Sequence, residues 1–289
     1  MNFNVAKVDY NSILLHLHIP KSGGKSVDEN LKKYFTSEQF LKIGESSINH
    51  YCGKNINSYI EYNRDDIIKK LIRKFNFINK LLQFQKNFKH IFTKNVSPFR
   101  DISSLTLSQK QTLRFISSYQ ERNVIPPILG KHYLQTIIIR DPLSRLQSYY
   151  FQAKKQFKSK KPYIIAAHKY DINGFINYLF DYQPYMLNNP YCVCITGTED
   201  FLKAKKIIDK NFFLAAPIER LDDFLNIMTL KLFSKKGNFI KYNVGYNNSK
   251  KIIISENLID KILLTNQPDI KLKKYIEQEF GSIYEKIKF

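Results

Sequence analysis

The residues best suited to chemistry lie in a loop that follows the first apolar run of the chain. Residues 18–26 read His-Ile-Pro-Lys-Ser-Gly-Gly-Lys-Ser. Glycines let backbone N–H groups approach an anion, lysines supply full positive charges, and serine hydroxyl groups donate hydrogen bonds. A lone glycine pair would indicate only a turn, but this combination is typical of a phosphate site, and residues 18–26 are called the phosphate loop below. Its candidate binding residues are Lys21, Ser22, Gly23, Gly24, Lys25 and Ser26.

A second group of polar residues falls within residues 139–150, Ile-Arg-Asp-Pro-Leu-Ser-Arg-Leu-Gln-Ser-Tyr-Tyr. We expect Arg140 at the end of a strand and Ser148 two helical turns later, so that both can bind one phosphate group. Arg145 either braces the helix or pairs with Asp141. Arg140 and Ser148 are therefore candidates for a second phosphate site.

Both groups lie where a strand is predicted to pass into a helix. Residues 12–19 form an apolar run that ends at a proline, which predicts a buried strand, and residues 26–35 have helical spacing. Residues 133–139 predict a second strand, and Asp141-Pro142 predicts the start of the next helix. Two such units indicate an α/β protein, a P-loop-containing three-layer fold with a central parallel sheet flanked by helices.

The rest of the chain predicts further helices at 200–210, 218–233 and 257–280, with a strand at 212–215. Residues 66–92 also have helical spacing, and nine Lys or Arg against two Asp lie between Arg64 and Lys94. We interpret this segment as a core helix with a solvated basic face rather than as a polyanion or membrane contact. We find no repeats, and we predict one domain, 1–289, with an inserted helical segment at about 36–110.

Composition limits the class of partner. The chain has 289 residues, 43% of them hydrophobic, which is enough for a sizeable core. Lys and Arg number 46 against 25 Asp and Glu, a net charge of +21. This excess favours a polyanionic partner such as a nucleotide, an acidic polysaccharide, nucleic acid or an anionic membrane. Compositional drift towards Lys, Asn and Ile explains the charge equally well.

The cysteines and the amino terminus suggest neither a metal site nor secretion. Cys52, Cys192 and Cys194 have neither a disulfide framework nor metal-ligand spacing, so we predict reduced thiols and no metal. The first eleven residues lack the form of a signal peptide, and no stretch is long enough to span a bilayer. A cytoplasmic protein is expected, and peripheral membrane contact stays open.

The phosphate loop also resembles a nucleoside-triphosphate P-loop. Gly24-Lys25-Ser26 matches the end of the pattern GxxxxGK[ST], but Ile19 stands where that pattern has its first glycine. A P-loop nucleotide kinase or NTPase is therefore one alternative. A non-catalytic polyanion-binding protein, with its contact at 64–94, is another, although such a protein has no need of two phosphate sites.

The two motifs together resemble those of sulfotransferases that use 3′-phosphoadenosine 5′-phosphosulfate (PAPS). Residues 18–27 are similar to the 5′-phosphosulfate motif, most closely in the branch of heparan sulfate 2-O-sulfotransferase-like and bacterial carbohydrate sulfotransferases, which typically read IPKTGGTS. Lys25 departs from that motif, where Thr is common. Residues 139–150 resemble the 3′-phosphate motif RDPxxRxxSxY, and 213–225 resemble a further family segment. The paired motifs favour this family over the NTPase, which has no use for a 3′-phosphate clamp.

The resemblance implies that PAPS is the sulfuryl donor and that no metal is needed. The acceptor is expected to be a hydroxyl group, on a carbohydrate. The net charge allows this acceptor to be anionic, and nucleic acid is disfavoured as a partner. In the family, the lysine at the position of Lys21 contacts the leaving phosphate, and the residues matching 22–26 hold the 5′-phosphate. Relatives often place a catalytic His before the second motif, but residues 115–121 contain none. Glu121 and His132 are the nearest substitutes as general base, and we rank them equally. His18 is expected to pack behind the loop.

Overall fold

The structure is a computed structural model that describes residues 12–43, 105–119, 127–159, 161–234 and 253–286, together with residues 102, 122, 125, 239 and 240. The helix predicted at 66–92 and the candidate base Glu121 lie outside the described residues. No helix within the described part of the chain has the length and apolar character needed to cross a membrane.

Five strands of the described residues form one sheet in the order β2-β3-β1-β4-β5, and each neighbouring pair is parallel. All of β1 is buried, and so are residues 135–139 of β4. Because successive side chains point to opposite faces of a sheet, this continuous burial means that both faces are covered. The α/β class with a central parallel sheet flanked by helices is therefore confirmed. The strands are β1 Ser12–Leu17, β2 Phe40–Ile43, β3 Phe115–Ser118, β4 His132–Ile139 and β5 Phe212–Pro217.

Ten α-helices occur in the described ranges, with short 3-10 turns at Lys32–Tyr34, Pro184–Met186 and Ile218–Arg220. Three helices begin behind Asp141, Asp171 and Asp200, each of which accepts a hydrogen bond from the backbone N–H three residues later. The helices are α1 Gly24–Leu31, α2 Leu107–Thr112, α3 Pro142–Lys154, α4 Pro162–Lys169, α5 Ile172–Tyr182, α6 Pro190–Thr196, α7 Phe201–Asn211, α8 Leu221–Phe233, α9 Glu256–Thr265 and α10 Gln267–Lys286.

Two apolar cores hold these elements together. The larger core joins the sheet to α1, α6, α7, α8 and α10. The smaller core lies among α3, α4, α5 and α9. Since α3 starts directly after β4, its first turn is fixed by the sheet while its remaining turns are held by the second core.

Three local features differ from the sequence-based expectations. The predicted insertion at about 36–110 begins with β2, an edge strand whose Leu41 and Ile43 are buried. The stretch 115–118, for which no strand was predicted, is β3. The helix predicted at 257–280 is two helices that meet at Asn266, because Pro268 cannot donate the backbone hydrogen bond needed to continue α9.

The strand order creates a crevice at the carboxyl ends of β1 and β4. After β1 the chain crosses to the β2 edge, whereas after β4 it crosses to the β5 edge. Connections that leave neighbouring strands in opposite directions open a ligand-binding crevice in α/β sheets. The phosphate loop and Arg140 lie at this crevice.

Candidate functional site

The phosphate loop turns sharply into α1. Lys21 and Gly23 have left-handed backbone conformations, with φ of 72° and 86°. The carbonyl of Gly23 then accepts hydrogen bonds from the N–H groups of Ser26 and Val27, at 2.8 and 3.2 Å. A non-glycine residue at positive φ is strained, and such strain persists where the surrounding structure imposes it. The turn therefore presents Lys21 at the start of a helix, the end that carries partial positive charge.

Both glycines are in close contact with neighbouring side chains. A Cβ atom on Gly23 would lie 2.4 Å from Cδ1 of Ile218, and one on Gly24 would lie 2.3 Å from Cδ2 of His18. Gly23 is required by its left-handed backbone conformation, with φ of 86°. Gly24 is favoured by packing, because a Cβ atom there would meet the buried ring of His18.

A buried polar cluster supports the loop from below. The Nδ1 atom of His18 is 3.1 Å from Oδ2 of Asp28, and its ring stacks on Tyr119 at 4.0 Å between centroids. Although burial by itself raises the pKa of Asp28, His18, His16 and Lys42, whose Nζ is 3.2 Å from the same carboxylate oxygen, hold it well below its usual range. Because Gly24 covers the ring of His18 and only 4% of the residue is exposed, His18 packs behind the loop and supports it.

Positive groups crowd the opening of the crevice. Nζ of Lys21 donates to Oε1 of Gln152 at 2.5 Å, and Nη1 of Arg140 donates to the carbonyl of Lys21 at 3.3 Å. Burial, followed by the charges of Arg140, Lys155 and Lys25, lowers the pKa of Lys21 to about 8. Burial also lowers the pKa of Arg140, and its Nε atom is buried without a hydrogen-bond partner. The positive charges of these three lysines and Arg140, together with the unpaired N–H of Arg140, favour the binding of a multiply charged anion.

Helix α3 contributes one face of the crevice. Ser148 is half-buried, and Gln152, which accepts from Lys21, follows it by four residues. Residues four apart lie on the same helix face, so this spacing could have identified Gln152 from the sequence. Arg145, also on α3, is buried, and its Nη2 donates to the carbonyl of Met186 at 2.9 Å. Of the two expected roles for Arg145, bracing the helix is the one observed.

Tyr191 on α6 contacts both motifs. Its Oη atom is 2.5 Å from Oγ of Ser22 and accepts a hydrogen bond from the backbone N–H of Arg140 at 2.8 Å. The oxygen of the Ser22 hydroxyl group is therefore held by Tyr191 inside the protein. The sequence gives no local signal for Tyr191, because the contact joins residues from three distant segments.

The remaining predicted residues are not all brought to the crevice. Lys25 is exposed on the first turn of α1, and Ser26 is buried. His132 pairs with Ser12 at the amino ends of the strands, whereas the loop follows the pair Leu17 and Ile137. At about 3.3 Å per residue, His132 lies about 17 Å from the edge that carries the loop. The register of β4 therefore places His132 at the edge of the sheet opposite the phosphate loop.

Comparisons with known proteins identify the family to which the chain belongs. The model of the Sulfotransferase family matches residues 4–190. A crystal structure of a sulfotransferase from Alicyclobacillus acidocaldarius is similar to the chain with a TM-score of 0.41 and 10% identity, over 94% of this chain and 98% of that one. No curated protein matches the sequence. With both phosphate motifs inside the matched residues, the chain belongs to the sulfotransferase family.

Proposed function

We propose that this protein transfers a sulfuryl group from PAPS to a hydroxyl group of a carbohydrate. The observation that carries the proposal is the contact between Lys21 and Arg140, which brings the two phosphate motifs to one crevice. A single-phosphate ligand would use one of the motifs. A donor with a 5′-phosphosulfate and a 3′-phosphate would use both.

The residues of the crevice fit such a donor. The buried Nε of Arg140 has no partner in the structure, and a phosphate oxygen is the type of acceptor that a guanidinium group binds best. The pKa of Lys21, lowered to about 8 by burial and by neighbouring cations, would rise again beside an anion. The proposed scheme relies on these cations to neutralise the charge of the donor.

Each residue has a distinct proposed role. PAPS supplies a sulfuryl group on a phosphate leaving group. Lys21 neutralises the negative charge that develops on that phosphate, and residues 22–26 of the phosphate loop hold its oxygens. Arg140 and Ser148 bind the 3′-phosphate. Fixing both ends of the donor holds the reacting group in line with the acceptor, and such positioning is the main source of rate in transfers of this kind.

The proposal also includes a general base and an acceptor. Glu121 remains the proposed general base, since it follows the last residue of β3 by three positions and β3 lies beside β1. A carboxylate there would take the proton of the acceptor hydroxyl group. The net charge of +21 supports an acidic carbohydrate as acceptor.

Calorimetry and a transfer assay test the proposal. Adenosine 3′,5′-bisphosphate should bind more tightly than ATP, with or without magnesium. Incubation with PAPS and a panel of neutral and acidic oligosaccharides should give products heavier by one sulfate in mass spectra. Equal or tighter binding of ATP together with magnesium-dependent ATP hydrolysis would favour the P-loop NTPase instead. Salt-sensitive binding of polyanions without any sulfated product would favour the non-catalytic alternative.

A further inference from the structure

The hydroxyl group of Tyr191 lies between the two halves of the proposed donor site. Only 1% of Tyr191 is exposed, so water does not compete for its hydrogen bonds. Its oxygen lies 2.5 Å from Oγ of Ser22 in the phosphate loop and 2.8 Å from the backbone nitrogen of Arg140 after β4. One oxygen atom thus contacts both phosphate motifs.

The directions of these hydrogen bonds follow from the chemistry of the groups. The N–H of Arg140 can only donate, so the tyrosine oxygen is its acceptor. Burial raises the pKa of Tyr191 to about 12, so the hydroxyl group keeps its hydrogen at neutral pH. A buried hydroxyl hydrogen requires an acceptor, and Oγ of Ser22 is in place to receive it. The hydrogen bonds therefore run in one direction, from Arg140 through Tyr191 to Ser22.

The backbone of Tyr191 is fixed from the opposite side. The carboxylate of Asp269 accepts hydrogen bonds from the N–H groups of Tyr191 and Cys192, at 3.0 and 2.8 Å. The side chain of Asn189 accepts from the N–H of Asp269 at 3.2 Å, which closes the connection between α6 and α10. Residues 191 and 269 lie outside the range 4–190 that the family model matches. The support is thus supplied by the part of the chain that follows both motifs.

We propose that Tyr191 is a positioning residue that couples the phosphate loop to Arg140, so that the 5′- and 3′-phosphate sites are held at one fixed separation. The inference rests on the proposed function, because it assigns the two sites to one donor. Binding of a ligand with both phosphates then costs little reorganisation. Without the tyrosine hydroxyl group, each site would still bind a phosphate, but their separation would vary and the advantage of the doubly phosphorylated ligand would shrink.

The test compares two nucleotides on the variant Tyr191→Phe. The ratio of the dissociation constants of adenosine 5′-monophosphate and adenosine 3′,5′-bisphosphate measures the benefit of the second phosphate. In Tyr191→Phe we expect this ratio to fall by about tenfold, the effect of about one hydrogen bond. A general loss of packing would weaken both ligands by the same factor and leave the ratio unchanged. An unchanged ratio in Tyr191→Phe, beside a large ratio in the wild type, overturns the coupling.

Tyr284 offers a matched control. It is also buried, and its hydroxyl group donates to the carbonyl of Ala215 in β5 at 2.7 Å without contact with either motif. Tyr284→Phe removes one buried hydroxyl group and should leave the nucleotide ratio at the wild-type value. If both substitutions lower the ratio equally, the effect belongs to the fold and the proposal fails.

A ligand-free measurement separates this proposal from the proposed function. Hydrogen exchange of the Arg140 amide, followed by NMR on the full chain, should accelerate in Tyr191→Phe because its acceptor is lost. Unchanged exchange would overturn the link to Arg140 whatever the ligand is. Wild-type protein that binds neither nucleotide, with accelerated exchange in the variant, would disprove the PAPS function while supporting the role of Tyr191 in holding the two motifs together.

Discussion

The guanidinium group of Arg140 donates from Nη1 to the backbone carbonyl of Lys21 at 3.3 Å, although the residues are 119 positions apart in the chain. This contact holds the strained turn of the phosphate loop against the end of β4. It also leaves Nε of Arg140 without a partner. The Arg140 side chain therefore supports the phosphate loop and also provides the positive charge of the proposed 3′-phosphate site.

Replacing Lys21 tests the neutralisation of the leaving group. Lys21→Ala should lower kcat for sulfuryl transfer by about 100-fold or more, the usual effect of removing one group that stabilises developing charge. Steady-state kinetics with PAPS and an acceptor measure this. Lys210→Ala is the control, because Lys210 is exposed and precedes the amino end of β5, at the edge of the sheet opposite the phosphate loop. Wild-type kcat in Lys21→Ala would remove Lys21 from the chemistry.

The lowered pKa of Lys21 predicts the pH dependence of donor binding. Below pH about 8 the ammonium group is charged, and its attraction for phosphate is complete; above that pH the free protein loses the charge, so affinity for adenosine 3′,5′-bisphosphate should fall. Calorimetry in buffers of different ionisation enthalpy should detect proton uptake on binding near pH 8. Lys21→Arg keeps its charge and should abolish the uptake. Proton uptake that persists in Lys21→Arg would assign the titration to another group.

Replacing Arg140 tests the 3′-phosphate site. Arg140→Ala should weaken binding of adenosine 3′,5′-bisphosphate by about 10- to 100-fold, because charge-assisted hydrogen bonds contribute about 1.5–3 kcal/mol. Binding of adenosine 5′-monophosphate should change much less. Arg114→Ala is a suitable control, since that arginine precedes β3 and donates to the carbonyls of Gln111 and Leu113. Equal losses for both nucleotides would contradict the assignment.

Gly24 and Gly281 form a matched pair for testing the close contact behind the loop. Gly24→Ala should lower the free energy of unfolding by about 1–3 kcal/mol, because the new Cβ meets the His18 ring, which is itself enclosed. Gly281→Ala in α10 has open space around the new Cβ and should raise the free energy of unfolding by about 0.5–1 kcal/mol. Denaturant unfolding measures both, and a neutral Gly24→Ala would show that His18 can move aside.

The buried carboxyl group of Asp269 predicts a pH-dependent stability. Burial, only partly offset by the hydrogen bonds from Tyr191 and Cys192, raises its pKa from 3.8 to about 6. Between these values the folded chain retains a proton that the unfolded chain releases, so this contribution to the free energy of unfolding falls as pH rises from about 4 to about 6. At about 1.36 kcal/mol per pKa unit, the fall is about 3 kcal/mol.

The variant Asp269→Asn isolates this contribution. Its side chain does not titrate, so the difference in stability between wild type and variant should change across the same pH window and be constant above it. Denaturant unfolding at several pH values provides the measurement. A difference that is independent of pH would mean that Asp269 is ionised throughout.

The sequence was sufficient where short-range chemistry determines structure. The buried strands β1 and β4 and the start of α3 were predicted from apolar runs and from Asp141-Pro142, and Lys21 and Arg140 meet as their motifs suggested. The strands and the helix start show in local patterns of apolar and capping residues, so they can be identified from the sequence. The contact between Lys21 and Arg140 instead follows from the pairing of β1 with β4 in the sheet.

Long-range pairing accounts for what the sequence could not predict. Strands β2 and β3 have four residues each, too few to show a period, and their parallel pairing supplies the hydrogen bonds that stabilise them. His132 was ranked by its distance along the chain from Arg140, but the parallel register sets it at the opposite edge. Tyr191 and Asp269 are 78 residues apart, and no local pattern joins them.

The dependence of α6 on Asp269 sets an order of events during synthesis. The chain emerges from the ribosome with the phosphate loop first and the second motif after it, while the carboxylate that caps α6 follows much later. A nascent chain that ends before residue 269 contains both motifs but lacks the group that fixes Tyr191 between them. The full arrangement of the site thus requires a residue that the ribosome adds 129 positions after Arg140.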